Sequence, residues 1–148
     1  KGSPEKVGGG FSCKKCELLT SLEGVSKEIG GGFNCENCES LKSLGGMQKE
    51  FRGDFNCSHC TSLTSLKGGP EKEVGGWFIC VRCNSLTSLE GSPKKVGEGF
   101  DCRLCDSLTS LEGTPKEVYK EFYCSGCGTQ FKEEDVEKVS NVKRKIYC

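Results

Sequence analysis

The sequence lacks an excess of charge of either sign, and it lacks any long run of apolar residues. Its 21 Lys and Arg residues balance 21 Asp and Glu residues. A balanced charge argues against nucleic acid or an anionic membrane surface as a partner. The apolar runs are all far shorter than the roughly 20 residues that a membrane-spanning helix needs. We therefore expect no nucleic-acid partner and no membrane contact.

Histidine is nearly absent, and no secretion signal is visible near Lys1. The one histidine, His59, lies between Cys57 and Cys60, where a variable repeat position is more typical of a turn residue than of a catalytic or metal-binding one. The Cys-x-x-Cys motifs lack the helix start that the thioredoxin redox motif requires. We therefore expect a protein that is not an enzyme and, since no signal is visible, a cytoplasmic location.

Cysteine and glycine, in contrast, are abundant, with 13 Cys and 21 Gly in 148 residues. Six Cys-x-x-Cys pairs recur every 22 residues, with a single spacing of 23. The pairs are Cys13/Cys16, Cys35/Cys38, Cys57/Cys60, Cys80/Cys83, Cys102/Cys105 and Cys124/Cys127. A fixed period of this length is typical of a solenoid in which each repeat forms one coil.

Apolar residues keep the same period as the cysteines. A Phe stands two residues before each pair, a Val, Ile or Phe stands four residues before that Phe, and leucines follow the pair. The Phe-x-Cys step has the period of a β-strand, so Phe and Cys face the same side. Stacked coils would bury these columns in one core. We expect a β-rich, leucine-rich-repeat-like solenoid of about six 22-residue coils, with one short parallel strand in each.

The end of the chain departs from the repeat. Residues 132–139 predict a short helix with acidic residues first and basic residues later. Residues 143–148 predict a final strand, in which Ile146-Tyr147-Cys148 repeats the Phe-x-Cys pattern and leaves Cys148 unpaired. We therefore divide the chain into six coils over residues 1–127 and a capping helix and strand over residues 128–148.

Residues 60–66 and 105–111 read Cys-Thr-Ser-Leu-Thr-Ser-Leu and Cys-Asp-Ser-Leu-Thr-Ser-Leu. This pattern resembles short bacterial leucine-rich repeats of the BspA-like subfamily. It is also similar to the Ser-Leu-Thr-Ser-Leu-Glu-Gly repeat proteins of bacteria and their phages. The resemblance extends to about residue 127 and departs at the first Cys of each pair, where an aliphatic residue is usual. It implies a curved parallel-sheet solenoid, an inward second Cys and a protein-binding role.

The cysteines admit three interpretations. They are small apolar thiols of the core, or disulfide partners between neighbouring coils, or metal ligands. Two consecutive pairs have the spacing of a Cys₄ zinc site, and the same set of four thiols also suits iron–sulfur clusters. The candidate ligands are Cys13, Cys16, Cys35, Cys38, Cys57, Cys60, Cys80, Cys83, Cys102, Cys105, Cys124 and Cys127.

Outward strand positions carry the candidate binding surface. Trp77, Ile79 and Val81 form an apolar patch in the fourth repeat, and Tyr123 occupies the position of Ile79 two repeats later. Such a patch favours a protein partner on the strand face, with Trp77, Ile79 and Tyr123 as its candidate contacts. Alternatively, Trp77 covers the one-residue insertion at residues 70–74. The predicted function is a non-enzymatic, protein-binding scaffold with a cysteine-lined core; the alternative is a protein with Cys₄ metal sites between repeats.

Overall fold

A computed structural model describes residues 3–148. The chain winds into a parallel β-solenoid of about six coils, each close to 22 residues long, with a helix and a strand after the last coil. The fold class predicted from the sequence is confirmed. Among residues 3–148, no helix combines the length and apolarity that a membrane crossing requires.

Each coil contributes two short strands, so the expectation of a single strand per coil was wrong. The first strands are β1 (Lys6–Val7), β3 (Glu28–Ile29), β5 (Glu50–Phe51), β7 (Glu73–Val74), β9 (Lys95–Val96) and β11 (Glu117–Val118). The second strands are β2 (Phe11–Ser12), β4 (Phe33–Asn34), β6 (Phe55–Asn56), β8 (Phe78–Ile79), β10 (Phe100–Asp101) and β12 (Glu121–Tyr123). The first strands are too short to show the alternation of apolar and polar residues by which a strand is recognised.

The C-terminal segment forms α1 (Glu133–Glu137), β13 (Asn141–Val142) and β14 (Lys145–Tyr147). The helix is shorter than predicted, the last strand is confined to three residues, and β13 was not predicted. Acidic residues fill the first turn of α1, where they complement the helix dipole. Phe131 and Val136 are buried in the same core as the coils, so this segment covers the end of the apolar columns.

Equivalent residues of successive coils pair in register. The second strands and β14 form a seven-stranded parallel sheet in chain order. Phe33, for example, lies opposite Phe11 on one side and Phe55 on the other. The phenylalanine rings stack along this column with centroid separations of 5.2 to 5.8 Å. A slip of one residue would turn the whole column outward, so burial fixes the register.

The first strands form a second parallel face that is interrupted between β3 and β5. One sheet contains β1 and β3, and another contains β5, β7, β9, β11 and β13. At the interruption, the side chain of Gln48 accepts a hydrogen bond from Ile29 N at 2.6 Å and donates to Ile29 O at 3.0 Å. It also donates to Glu50 O at 2.6 Å. The amide of Gln48 therefore replaces the backbone bonds that would otherwise join the two sheets.

The core consists of columns that run the length of the solenoid. From the second to the fifth coil, the Phe, both Cys residues of the pair and the leucines that follow it are buried. In the first coil, Phe11 and Cys13 are only partly buried, and Leu18 is 91% exposed. Burial of each Leu or Phe side chain contributes about 1.5–3 kcal/mol to the free energy of unfolding. The stability of the fold is therefore concentrated in the inner coils.

The phenylalanine column gives a direct test of this distribution. We expect Phe78→Ala to lower the free energy of unfolding by about 3–5 kcal/mol, because it leaves a cavity among fully buried rings. Phe11→Ala, at the partly exposed end of the same column, is the matched control, and it should lower the free energy of unfolding clearly less. Urea unfolding of both variants measures the difference, and equal losses would contradict a column whose burial increases inward.

Candidate functional site

The Cys-x-x-Cys segments form one turn that is repeated in every coil. The residue before the second Cys has a positive φ of 56° to 70°; these residues are Lys15, Asn37, His59, Arg82, Leu104 and Gly126. This left-handed conformation turns the chain after the second strand and directs the second Cys back to the core in the inner coils. His59 is one of these turn residues, and its backbone N–H donates to Val81 O at 2.8 Å.

From the second coil onward, the second Cys of each pair reaches back to the preceding coil. Its thiol donates a hydrogen bond to the backbone carbonyl of the first Cys of that coil, at 3.1 to 3.3 Å. The five contacts join Cys38 to Cys13, Cys60 to Cys35, Cys83 to Cys57, Cys105 to Cys80 and Cys127 to Cys102. A protonated thiol is required for each bond, so the cysteines act here as neutral donors that hold neighbouring coils together.

The same two cysteines also meet through their thiols, and these contacts raise the pKa of the buried first Cys. In the third and fourth coils, the hydrogen bond between the thiols of Cys57 and Cys83, together with burial, holds the pKa of Cys57 well above its usual range. At the open end of the solenoid, burial and the neighbouring thiols of Cys38 and Cys16 raise the pKa of Cys13 to about 12. These thiols stay protonated at neutral pH.

The geometry gives no support to the predicted metal sites. A Cys₄ site needs the four sulfurs of two consecutive pairs to converge on one point. The cysteine side chains instead make diagonal contacts between the first Cys of one coil and the second Cys of the next. Within residues 3–148, no group of three or more Cys, His, Asp or Glu side chains is placed to hold a metal ion. Ten of the twelve candidate ligands are thus arranged as thiol pairs, and the exceptions are Cys16 and Cys124.

Cys148 is not unpaired, as the sequence had suggested, but is joined to Cys124 by a disulfide. The two residues follow β14 and β12, which lie side by side, and their Cα atoms are 4.8 Å apart. This separation falls within the usual range for a disulfide. Among the residues described, Cys124 thus contacts the first Cys of the next repeat, Cys148, rather than a second Cys.

An aromatic cluster lies on the outward face of the seven-stranded sheet. It consists of Trp77, Tyr123 and Tyr147, and we call it the outer aromatic cluster. The rings of Tyr123 and Tyr147 stack at 4.5 Å, and Trp77 lies 6.1 Å from Tyr123. The sequence singled out Trp77 and Tyr123 as candidate contacts but not Tyr147, although Tyr147 occupies the same strand position as Tyr123 one repeat later.

Two cations lie over this cluster. The guanidinium of Arg103 is 4.8 Å from the centroid of Tyr123, and the ammonium of Lys145 is 4.7 Å from that of Tyr147. Asp101 holds Arg103 in place. Its carboxylate accepts hydrogen bonds from Arg103 Nε at 2.9 Å and from Arg103 Nη2 at 2.6 Å. Cation–π contacts of this kind contribute about 0.5–1 kcal/mol at exposed sites. The sequence marks Arg103 as a candidate surface position, because it follows the first Cys of its pair. It did not indicate that Arg103 and Lys145 lie over aromatic rings.

Trp77 reaches the cluster across the backbone of the following coil. A Cβ atom at Gly99 would lie 2.3 Å from the indole, so only glycine leaves room for the ring to cross there. The backbone N–H of Trp77 donates to Asp54 Oδ1 at 2.8 Å. Trp77 therefore packs forward on Gly99 toward Tyr123, rather than back over the loop at residues 70–74. Ile79 is partly exposed on β8, in the same outward column as Asp101 and Tyr123.

Comparison of the chain with protein-family models, curated proteins and solved structures found no match. The resemblance to short leucine-rich repeats therefore stays a prediction from the sequence pattern.

The arrangement of the cysteines predicts how many thiols the protein offers. Thirteen cysteines include one disulfide, which leaves eleven free thiols. We expect a thiol-specific chromogenic reagent to titrate eleven thiols in the unfolded, unreduced protein and thirteen after reduction. In the folded protein, the exposed Cys16 should react at once, while the inner thiols should react only at the rate of unfolding. Titration of thirteen thiols in the unfolded protein without reduction would contradict the disulfide.

Proposed function

We propose that this protein is a non-enzymatic scaffold that binds another protein through the outward face of its seven-stranded sheet. The outer aromatic cluster, with Arg103 and Lys145 over its rings, is the observation that carries this proposal. Aromatic side chains and arginine are enriched among the residues that dominate binding energy at protein interfaces. Tyr147 remains 37% exposed and Ile79 is partly exposed, so apolar surface is available to a partner.

The cluster is held in place before any partner arrives. The bidentate contact with Asp101 fixes Arg103, stacking fixes the two tyrosines, and Gly99 fixes the path of Trp77. A side chain that is already immobilised loses little entropy on binding, which improves affinity. The two cations favour a partner that presents carboxylates next to an apolar side chain.

A selection experiment tests the proposal. Protein domains displayed in a library would be selected against the immobilised chain, and each binder would be retested against variants. We expect Ile79→Glu and Tyr147→Ala to weaken binding by about tenfold or more, because both remove apolar contact from the proposed interface. Calorimetry or surface plasmon resonance gives the affinities.

Thr87→Glu is the matched control, because Thr87 is an exposed residue of the same coil as Ile79 but lies outside the sheet. It should leave the affinity unchanged, and thermal melting should show that all three variants are folded. Two outcomes would place binding elsewhere on the solenoid. One is a loss of affinity with Thr87→Glu, and the other is an affinity that neither Ile79→Glu nor Tyr147→Ala changes.

A further inference from the structure

The diagonal thiol pairs share one geometry but differ in their exposure. In the three inner pairs, Cys35/Cys60, Cys57/Cys83 and Cys80/Cys105, both cysteines are fully buried. Only the outermost pairs contain a partly exposed member, which is Cys13 at one end and Cys127 at the other. A small oxidant dissolved in water can therefore reach the end pairs without any opening of the solenoid.

Cys127 is the partly exposed thiol of the sixth coil. Its neighbours Gly126 and Gly128 are exposed and carry no side chain that could cover its sulfur. On the inner side, its thiol lies 3.2 Å from Cys102 O and in hydrogen-bond contact with the thiol of Cys102. A partly exposed cysteine is thus in contact with a second, buried cysteine of the neighbouring coil.

The surroundings also lower the pKa of Cys127. The hydrogen bond from the Cys102 thiol is the main cause, and a backbone hydrogen bond from Cys105 lowers the pKa further, while partial burial and two nearby carboxylates act in the opposite direction. At the other end of the solenoid, burial and neighbouring thiols raise the pKa of Cys13 to about 12. The two partly exposed thiols therefore differ in reactivity, since the thiolate is the nucleophile.

We propose that Cys127 and Cys102 form a peroxide-reactive dithiol, a site of reversible modification in which Cys127 is oxidised first and Cys102 then closes a disulfide between the fifth and sixth coils. An accessible thiol in contact with a resolving cysteine is the arrangement found at redox-sensor sites. The ligand class is a hydroperoxide, either hydrogen peroxide or a small organic one.

The reaction balances without any further reagent. The thiolate of Cys127 attacks one peroxide oxygen; the S–O bond forms, the O–O bond breaks, and the departing hydroxide or alkoxide takes a proton from water. The sulfur of Cys102 then attacks the sulfur of the Cys127 sulfenic acid; the S–S bond forms, the S–O bond breaks, and water leaves with the Cys102 proton. Two electrons pass from the dithiol to the peroxide.

The product is compatible with the spacing of the coils. Cys124 and Cys148, which follow the neighbouring strands β12 and β14, already form a disulfide across a Cα separation of 4.8 Å. Cys102 and Cys127 also lie on neighbouring coils, and their thiols are already in contact. Oxidation removes only two hydrogen atoms, so the packed core has no added volume to accommodate.

Peptide mapping by mass spectrometry tests the proposal on the whole chain with its Cys124–Cys148 disulfide intact. The folded protein would be exposed to hydrogen peroxide, quenched with a maleimide and digested with trypsin. Cys102 falls in the peptide of residues 96–103, both Cys124 and Cys127 fall in residues 121–132, and Cys148 falls in residues 146–148. We expect one product in which all three peptides are linked, and its release by a dithiol reductant.

Three variants separate this site from its neighbours. Cys127→Ser should abolish the link, and Cys102→Ser should leave a sulfenic acid at Cys127 that a cyclic 1,3-dione traps. Cys60→Ser is the matched control, because the pair Cys35/Cys60 has the same contacts but is fully buried; it should leave the linked product unchanged. Cys13 should be oxidised more slowly than Cys127, in keeping with its smaller thiolate fraction.

Two results would overturn the proposal. One is oxidation of Cys127 no faster than that of the buried Cys60 in the folded protein. The other is a Cys124–Cys127 disulfide with release of residues 146–148, which would mean that Cys127 exchanges with the existing disulfide instead of forming a new one with Cys102. Both results leave the proposed binding face unaffected, since that face involves neither thiol.

Discussion

In-register stacking of equivalent residues is the constraint on which the rest of this structure depends. Backbone bonds such as Phe33 N to Asp54 O and Cys35 N to Asn56 O, at 2.8 and 2.9 Å, connect each coil to the next at equivalent positions. Because a coil has nearly constant length, every side chain meets its own equivalent, and columns of Phe, Cys and Leu follow. The extra residue of the third spacing is absorbed in the loop before β7, so Phe51 still pairs with Val74. The same stacking brings Tyr147 onto Tyr123.

The Cys-x-x-Cys turn adds a diagonal offset to this regular stacking. Since the second Cys reaches back by one coil, each thiol contact joins two repeats, and the pairing leaves unmatched cysteines at the ends. Cys16 is left exposed at one end, and Cys124 is joined to Cys148 at the other. The offset also accounts for the different chemistry of equivalent residues: the thiols in the middle are sealed in the core, whereas Cys127 meets solvent on one side and Cys102 on the other.

The period of the sequence was enough to predict the coils, the buried columns and the cap, because a repeated apolar position has only one way to be buried in a stack. The diagonal contacts were not predictable in this way. They depend on a left-handed residue before the second Cys, and residues as different as Lys15, His59 and Leu104 adopt it, so no residue type marked it. The path of Trp77 depends on the empty space over Gly99, and the interruption of the second face depends on the side chain of Gln48; both are tertiary contacts that spacing does not encode.

The cysteine columns hold the coils together as protonated thiols, and that claim is tested most directly by metal analysis combined with thermal unfolding. Protein purified anaerobically without chelator would be analysed for zinc and iron and then melted with and without a strong chelator. The thiol contacts predict no stoichiometric metal and the same melting temperature in both solutions. About one metal ion or cluster for every two Cys-x-x-Cys pairs, with a melting temperature that falls on chelation, would contradict them and make the cysteines ligands whose metal binding contributes to folding.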